Sequence, residues 1–330
     1  MQPSDVETPT RPRPVSNVGA TFACCITGMH RSGTSLVARL LHECGIALGP
    51  ERELKKRAAD NLDGYFENRS FVRLNDTIIN QFGGKWNQPP SFPPGWEFSP
   101  EASAFLERAE KLVSQFSHDG WGWKDPRSSL TLPFWQRLIP DLKIIVCIRN
   151  PIEVARSLFV RGDTKSSSQF DLWLTYYRQL LSATSTSNRL VTHYESYFED
   201  PRAELRRVLE WLGADVSDET VQRACPHVSA ELRHHYVMTS ESIGTEVPAE
   251  LLGSYLDLCT EAGTVYQRAR QHELDERALA AARANEIRAL LNELEQTRTA
   301  AAKREQLLNE ILNSKAFKLV NLYWRMRRRK

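Results

Sequence analysis

A glycine-bounded segment, residues 28–35, constrains the fold more than any other feature of the sequence. It reads Gly-Met-His-Arg-Ser-Gly-Thr-Ser and follows a largely apolar run at residues 20–27. After it, apolar residues recur at helical spacing, at Leu36, Val37, Leu40 and Leu41. A strand, a tight glycine turn and a helix in this order predict a βα unit of a parallel sheet, in which the turn lies at the carboxyl end of the strand.

Two more apolar runs repeat this order. Residues 142–148 predict a strand that is buried on both faces, because nearly every side chain is apolar, and a helical pattern follows from Pro151. Residues 189–193 predict a third strand, and the helix that follows from Pro201 ends at Gly213. Strands that alternate with helices predict an α/β fold: a P-loop-like, doubly wound parallel sheet flanked by helices, with ligands at the carboxyl ends of the strands.

Residues from 269 onward have a different pattern. Steps of three and four residues form a heptad seam, with polar interruptions at Arg298 and Glu305, through positions 280, 284, 287, 291, 294, 298, 301, 305, 308 and 312. We predict three segments: a disordered leader at 1–19, a folded body at 20–268, and a C-terminal long helix or coiled coil at 269–330 that ends in a basic amphipathic stretch.

The charge of the chain is nearly balanced but unevenly distributed. The chain has 43 Lys and Arg against 41 Asp and Glu residues, a net charge of +2, which does not indicate a nucleic-acid binder. Residues 269–330 carry 14 basic and 8 acidic side chains, a net of +6, and the preceding residues have a net of −4. No apolar run reaches the roughly 18 residues of a membrane span. The six cysteines lack metal-type spacing, so we predict reduced thiols in a cytoplasmic protein.

The glycine loop has the features of an anion-binding site. Backbone N–H groups at a helix N-terminus and the helix dipole both favour a phosphate or sulfate group. In the loop of nucleotide triphosphatases a lysine precedes the final Ser or Thr, whereas this chain has Thr34 before Ser35 and supplies Arg31 as the cation. The strand at 142–148 is followed by Arg149, where a magnesium ligand would be acidic. Both departures argue against ATP hydrolysis.

In these motifs the chain resembles the sulfotransferases that use 3′-phosphoadenosine 5′-phosphosulfate (PAPS), in the branch of bacterial carbohydrate and tyrosylprotein enzymes. The likeness covers residues 22–213. The glycine loop resembles the segment that holds the 5′-phosphosulfate, which implies nucleotide binding by Arg31, Ser32, Gly33, Thr34 and Ser35. The Arg-Asn-Pro segment after the second predicted strand resembles the 3′-phosphate site, which implies contacts from Arg149, Ser157 and Arg161. The Tyr194-Glu195 pair resembles the segment that packs near the adenine.

Two further motifs imply the catalytic residues. Lys124, in Trp-Lys-Asp-Pro, resembles the lysine that approaches the sulfuryl group, so Lys124 and Arg31 would stabilise the charge that grows during transfer. Glu67, in Gly-Tyr-Phe-Glu-Asn, resembles a glutamate of the bacterial relatives and is the favoured general base. Counting from the loop as in the tyrosylprotein branch leads instead to Arg52, which leaves its neighbour Glu53 as the reserve. No metal is implied.

The resemblance implies in-line transfer of a sulfuryl group from PAPS to a hydroxyl of a carbohydrate or glycolipid. The loop from Trp86 to Trp96 is a candidate wall for the sugar. Two alternatives stay open: a P-loop-type kinase of a nucleotide or small molecule, and an inactive relative that serves as a coiled-coil scaffold. For residues 269–330 we expect self-association first, a partner-binding helix second, and contact of residues 317–330 with an anionic membrane, at its inner face, third.

Overall fold

The body of the protein is built on a four-stranded parallel sheet. The structure, a computed structural model, describes residues 22–55, 64–116, 120–161, 169–229 and 247–327. The sheet has the order β2-β1-β3-β4, with its strands at Ala23–Thr27 (β1), Trp121–Lys124 (β2), Lys143–Ile148 (β3) and Arg189–His193 (β4). All neighbouring strands are parallel. The predicted parallel α/β sheet is therefore confirmed, and the predicted leader at 1–19 lies outside the described residues.

Strand β2 was not predicted from the sequence. It has only four residues, Trp-Gly-Trp-Lys, and glycine is a poor strand former. A Cβ atom on Gly122 would lie 2.5 Å from the carbonyl oxygen of Cys24 on β1, so glycine permits the close approach of the two backbones. Ala47 covers the outer edge of β2, because Gly122 N–H donates to the Ala47 carbonyl at 2.9 Å.

Helices connect the strands and cover the sheet. The α-helices of the body that the structure describes are α1 (Thr34–Glu43), α2 (Arg69–Gln81), α3 (Pro100–Ser103), α4 (Leu106–Val113), α5 (Ser128–Leu138), α6 (Pro151–Arg161), α7 (Gln169–Ser182), α8 (Ser196–Glu199), α9 (Pro201–Leu212), α10 (Asp218–Ala224) and α11 (Ala249–Glu261). Short 3₁₀ turns lie at Glu51–Glu53, Trp96–Phe98 and Cys225–His227.

The two faces of the sheet bury two separate clusters of apolar side chains. Cys24 and Cys25, adjacent on β1, belong to different clusters, as the period of two along a strand requires. Cys25 packs with residues of α2, α5, α7 and α11, and Cys24 packs with residues of α1, α9 and α10. The sheet is therefore doubly wound. All six cysteines are free thiols, five of them buried.

Buried polar contacts fix α11 to the end of β4. The backbone N–H of Glu195 donates to Nδ1 of His193 at 3.1 Å, which leaves Nε2 to carry the proton and donate to the Tyr255 hydroxyl at 2.9 Å. Burial, reinforced by the charge of Arg149, lowers the pKa of His193 to about 3. Arg189 and Glu261 join the opposite ends of the same two elements with bonds of 2.7 and 3.0 Å.

Residues 271–330 form a second compact unit. It contains most of α12 (Gly263–Asn313), and α13 (Lys315–Arg327) follows after Ser314. The predicted long helix is confirmed, whereas the coiled coil stays a prediction. Leucine and isoleucine side chains of the predicted seam are more than two fifths exposed in this single chain, at Ile287, Leu291, Leu294, Leu308 and Leu312. In the described part of the chain, no helix combines the length and apolarity needed to cross a membrane, and residues 328–330 lie outside that part.

Candidate active site

The loop after β1 folds tightly because of two glycines. Gly28 has φ +140° and Gly33 has φ +87°, both in the region that disfavours side chains. A Cβ atom on Gly28 would lie 2.3 Å from the carbonyl oxygen of Cys147 on β3. On Gly33 it would lie 2.5 Å from the ring of Tyr194, the first residue after β4. The glycines therefore let the loop lie against the ends of β3 and β4.

The N-terminus of α1 points its first-turn N–H groups at the space next to this loop. Gly33 occupies the N-cap position and, having no side chain, cannot cap the helix itself. Thr34 is 3% exposed and Ser35 is half-buried in the first turn. A helix start whose N-cap lacks a side chain is a ready site for an anion. This geometry fits the 5′-phosphate end of a nucleotide.

Tyr177 of α7 braces the loop and was missed in the sequence. Its hydroxyl accepts a bond from Met29 N–H at 3.3 Å, lies 3.1 Å from Ser32 Oγ and donates to the Cys147 carbonyl at 2.7 Å. Burial raises the pKa of this phenol, so it stays neutral. No motif marks Tyr177, since it lies in the apolar pattern of a helix that follows an undescribed segment.

The residues predicted for the 3′-phosphate meet the glycine loop. Arg31 Nε donates to Ser157 Oγ on α6 at 2.8 Å. The guanidinium of Arg149 lies 4.3 Å above the Tyr194 ring, and its Nε donates to Glu153 at 2.6 Å. Arg149 is 7% exposed, so its charge lies almost completely within the protein. Arg161 is the last residue of α6, and its side chain lies outside the described part of the structure.

Lys124 and Glu67 form a buried ion pair. Lys124 is the last residue of β2, and its Nζ lies 2.8 Å from Oε1 of Glu67. The two side chains are 3% and 5% exposed. Lys55 approaches the other carboxylate oxygen at 3.5 Å and packs over the Tyr65 ring. Two of the three residues that the sequence indicates as catalytic therefore contact each other directly.

The charges around Glu67 decide its protonation. Burial raises the pKa of Glu67, but Lys124, Arg127 and Lys55 together outweigh burial and lower it below the usual range. The carboxylate is ionised at neutral pH and able to accept a proton. The reserve candidate, Glu53, instead accepts a bond from Ser70 Oγ at 3.5 Å at the start of α2.

Arg31 and Phe66 share a rare backbone conformation. Among the described non-glycine residues they alone have positive φ, +70° and +53°. Such conformations cost about 1–3 kcal/mol each and concentrate at functional sites. Arg31 is a candidate ligand itself, and Phe66 immediately precedes Glu67. The strained positions therefore coincide with the predicted site.

A buried polar network supports the segment after Lys124. Asn75 of α2 donates to Asp125 Oδ2 at 2.8 Å and to Ser128 Oγ at 3.1 Å, and accepts from Thr131 and Trp135 at 2.8 Å each. Arg127 bonds both Asp125 and Asp76. Asn75 and Asp76 were not predicted, because isolated Asn and Asp residues in a helical pattern give no motif.

The aromatic loop divides into two parts. Trp86 lies next to the glycine loop, with its ring 4.4 Å from that of His30. Tyr176 donates to the Trp86 carbonyl at 2.8 Å and holds the loop in place. Trp96, in contrast, is 6% exposed and packs with Phe92 and Phe82 in the core. Of the two predicted tryptophans, Trp86 therefore lies beside His30 of the glycine loop, whereas Trp96 lies in the core.

The sheet edge thus gathers cations from three strand ends. Arg31 follows β1, Lys124 ends β2 and Arg149 follows β3. Among the described residues, no group of three or more His, Cys, Asp and Glu side chains is arranged to hold a metal ion. A doubly wound parallel sheet with a glycine loop at the start of α1 and basic residues at its strand ends defines a P-loop-like fold.

The family follows from a match to the model of the sulfotransferase family, which covers residues 24–218. The chain belongs to this family. A relative described as "Putative protein-tyrosine sulfotransferase", from Caenorhabditis briggsae, is 28% identical over 133 residues. That match covers 38% of this chain and 42% of the relative, so the chain spans about two fifths of the relative's length.

Solved sulfotransferase structures are similar over most of the chain. The enzyme from Alicyclobacillus acidocaldarius is 17% identical, with a TM-score of 0.44 over 75% of this chain and 99% of that chain. The sulfotransferase domain of the curacin biosynthetic pathway has a TM-score of 0.43 at 15% identity, over 73% and 98% of the two chains. A mouse sulfotransferase complexed with PAP, which is 3′-phosphoadenosine 5′-phosphate, has a TM-score of 0.36 at 13% identity. The match covers 77% of this chain and 88% of that chain.

Proposed function

We propose that the protein transfers a sulfuryl group from PAPS to a hydroxyl of a carbohydrate or glycolipid. The observation that carries the proposal is the meeting of Arg31, Lys124 and Arg149 at one edge of the sheet, from three different strand ends. PAPS carries anionic groups at both its 5′ and its 3′ positions, and it needs cations at two separated points. Family membership supports the same reaction.

The nucleotide would bind across the ends of β1, β3 and β4. Ser32, Gly33, Thr34 and Ser35 would hold the 5′-phosphate through backbone N–H groups and hydroxyls. Arg149, Ser157 and Arg161 would hold the 3′-phosphate, and Tyr194 would pack near the adenine. The Arg31–Ser157 bond supports this assignment, because it joins the two anion sites through one guanidinium.

The residues named above account for the charge and the proton that move during the transfer. The acceptor oxygen attacks sulfur, the bond between sulfur and the bridging phosphate oxygen breaks, and 3′-phosphoadenosine 5′-phosphate (PAP) leaves. Negative charge grows on the bridging oxygen, where Arg31 and Lys124 would stabilise it. The proton of the acceptor hydroxyl passes to Glu67, and the product is a sulfate ester.

The ion pair couples donor binding to the strength of the base. With Lys124 at 2.8 Å, the pKa of Glu67 is held low and its carboxylate is a weak base. When Lys124 turns to the sulfuryl donor, Glu67 loses its nearest cation while staying buried. Burial then raises the pKa of Glu67 and makes it a stronger base at the time when the acceptor must be deprotonated.

Trp86 supports a sugar as the acceptor. Its ring is half-buried and lies against His30, the residue before Arg31. Aromatic faces give broad apolar contact for the C–H face of a ring such as a pyranose. Transfer of labelled sulfate from PAPS into a cell-envelope extract, followed by digestion with proteases and glycosidases that leaves sulfate esters intact, identifies the acceptor. Label in saccharide supports the proposal, whereas label in tyrosine residues assigns a protein acceptor.

Thermal-shift titration separates the proposed enzyme from its alternatives. PAP without magnesium should raise the melting temperature of the protein, because the 3′-phosphate site needs no metal. Stabilisation by Mg²⁺-ATP alone would assign a kinase. The absence of stabilisation by either ligand would assign an inactive scaffold.

Glu67→Gln tests the base directly. The amide keeps the shape of the side chain but cannot accept the proton, so turnover should fall by about 10²–10⁴-fold, while PAP stabilisation persists. Glu53→Gln is the matched control and should keep turnover near normal. Near-normal turnover of Glu67→Gln would refute the assignment, and a loss confined to Glu53→Gln would make Glu53 the base.

We also propose self-association through α12, supported by its exposed apolar seam.

We further propose a cytoplasmic location, supported by the six free thiols. Cell fractionation with alkylation of the thiols before lysis tests this location. Recovery of disulfide-bonded protein from an oxidising compartment would contradict it.

A further inference from the structure

Helix α13 differs in charge from the helix before it. Lys315–Arg327 contains four basic and no acidic residues, at Lys315, Lys318, Arg325 and Arg327. Helix α12, in contrast, has eight basic and eight acidic residues. The excess positive charge of residues 269–330 therefore lies in and after α13 and not along the predicted seam.

The same helix exposes large apolar side chains. Phe317, Val320 and Trp324, spaced by three and four residues, share one side of the helix and are 37%, 52% and 52% exposed. Leu319 and Met326, seven residues apart, form a second row farther around the helix, beyond Val320, and are 66% and 67% exposed. Five such side chains within 13 residues exceed the scattered apolar residues of an ordinary surface.

Basic and apolar residues occupy different sides of α13. Lys318 and Arg325 are also seven residues apart, so they lie in one row on the side of the helix away from Val320. Arg327 lies nearer the apolar side, and its guanidinium is 5.8 Å from the Trp324 ring. The helix is about 20 Å long, shorter than the roughly 30 Å hydrocarbon core of a bilayer.

We propose that α13 binds the surface of an anionic phospholipid bilayer, with its axis parallel to the interface. Apolar side chains would enter the acyl boundary while lysine and arginine reach the lipid phosphates. An aromatic residue such as Trp324 is favoured at that depth. A second copy of α13 fits less well, because four positive charges on each helix would repel without acidic partners. The lipid supplies the opposite charge that this helix lacks.

Vesicle co-sedimentation of the full chain tests the proposal. Wild type should bind vesicles of phosphatidylcholine mixed with phosphatidylserine, and bind far more weakly to phosphatidylcholine alone or in high salt. Each basic residue near such a surface strengthens binding by about fivefold. Replacing Lys315, Lys318, Arg325 and Arg327 by Gln should therefore weaken binding by at least about a hundredfold. Replacing Arg288, Arg298, Lys303 and Arg304 of α12 by Gln is the charge-matched control, which should bind as wild type.

A second variant tests whether apolar side chains insert into the bilayer, as distinct from electrostatic attraction of the helix to its surface. Leu319→Gln with Met326→Gln keeps every charge and a good helix former, and should weaken binding about tenfold or more. Equal binding to neutral and anionic vesicles, no binding, or equal loss in the α12 control would overturn the proposal. A lower oligomeric mass of the variant with Leu319→Gln and Met326→Gln would assign the apolar surface of the helix to a second copy instead. All variants should keep their stabilisation by PAP, which reports a folded body.

Discussion

Single charged residues at the sheet edge are held by partners of opposite charge before any ligand binds. Arg149 is bonded to Glu153, and Lys124 to Glu67. Removing one partner from a buried pair costs about 3–5 kcal/mol, because the other charge is left uncompensated. Ligand binding at the proposed site would therefore replace these ion pairs with pairs between the same cations and the ligand. A substitution here should be assessed by its effect on the affinity for different ligands as well as on the free energy of unfolding.

Arg149→Ala should remove the discrimination for a 3′-phosphate. We expect the affinity for PAP to fall about a hundredfold, since a buried charge-assisted bond to phosphate is lost. The affinity for adenosine 5′-phosphate, which lacks that phosphate, should stay nearly unchanged. Titration calorimetry with both nucleotides measures the ratio.

Arg156→Ala on the exposed side of α6 is the matched control and should leave both affinities as they are. If Arg149→Ala binds PAP as wild type does, the 3′-phosphate site lies elsewhere.

A site residue could be predicted from the sequence when it lies in a motif of neighbouring residues. The glycine loop is one continuous run of residues, and the Arg-Asn-Pro segment is another. Arg31 and Arg149 could therefore be found from the sequence. The Arg31–Ser157 bond joins residues 126 positions apart, and only the fold brings them together. Tyr177 and Asn75 act through single side chains in helices, where the period of apolar residues hides them.

At the scale of elements, the loop between β1 and α1 depends on two kinds of constraint at its glycines. Gly33 needs both a positive φ and empty space, because Tyr194 lies where a Cβ would be. Gly45, after α1, has φ +89°, and a Cβ atom added there would meet nothing within 4 Å. A substitution at Gly45 therefore introduces backbone strain alone, whereas one at Gly33 introduces both backbone strain and a steric contact.

Gly33→Ala should lose more stability than Gly45→Ala. Strain alone costs about 1–2 kcal/mol in either variant, and the contact with Tyr194 adds to it only at Gly33. Gly33→Ala should also lose stabilisation by PAP, whereas Gly45→Ala keeps it. Urea unfolding and thermal shift measure both effects. Equal behaviour of the two variants would contradict the close contact between the loop and Tyr194.

The contact of β4 with α11 should make stability depend on pH. The pKa of His193 is near 3 in the folded chain and about 6.5 when unfolded. As pH falls through this window, only the unfolded chain takes up the proton. The free energy of unfolding should therefore decrease toward low pH, by about 1.4 kcal/mol per pH unit from this group.

His193→Asn removes this titration while keeping an acceptor for Glu195 N–H. Its free energy of unfolding should fall less steeply than that of wild type between about pH 7 and pH 5. Urea unfolding at several pH values measures the slope. This window lies above the titration of Glu67, whose lowered pKa removes stability only under more acidic conditions. Parallel slopes in the two proteins would contradict the burial of a neutral His193.

Strands β1 and β3 were predictable because they are largely apolar, and β4 because its Leu-Val pair precedes a clear helix start at Pro201. Strand β2 was not, because Trp-Gly-Trp-Lys is short and contains glycine. Its place beside β1 comes from pairing over 98 positions of sequence, for which no local pattern exists. The helix α12 was predictable because its period extends over ten positions without Gly or Pro.

At the scale of the whole molecule, the two units differ in what their surfaces can do. The body has three cations at the ends of adjacent strands, and α12 carries balanced charge beside an apolar seam. A helix of this kind is a poor candidate for an isolated surface element, since eight large apolar side chains from Ile287 to Leu312 are exposed. Self-association would bury the seam.

Leu308→Lys and Leu307→Lys form a matched pair for this test. Both leucines are about equally exposed, at 58% and 61%, but only Leu308 lies on the predicted seam. Leu308→Lys should lower the oligomeric mass in sedimentation equilibrium, because a charge enters the interface. Leu307→Lys should leave it unchanged. A monomeric wild type, or the same effect from both substitutions, would rule out the predicted seam.

The position of Ala47 along the outer edge of β2 bears on aggregation. Unpaired strand edges are where sheets of separate molecules join into larger assemblies. Here the carbonyl of Ala47 accepts from Gly122, and its N–H donates to the Gly120 carbonyl at 3.3 Å. The chain thus occupies with its own backbone the hydrogen-bonding groups that a foreign strand would need. At the start of β2, a foreign strand therefore finds these hydrogen-bonding groups already paired within the monomer.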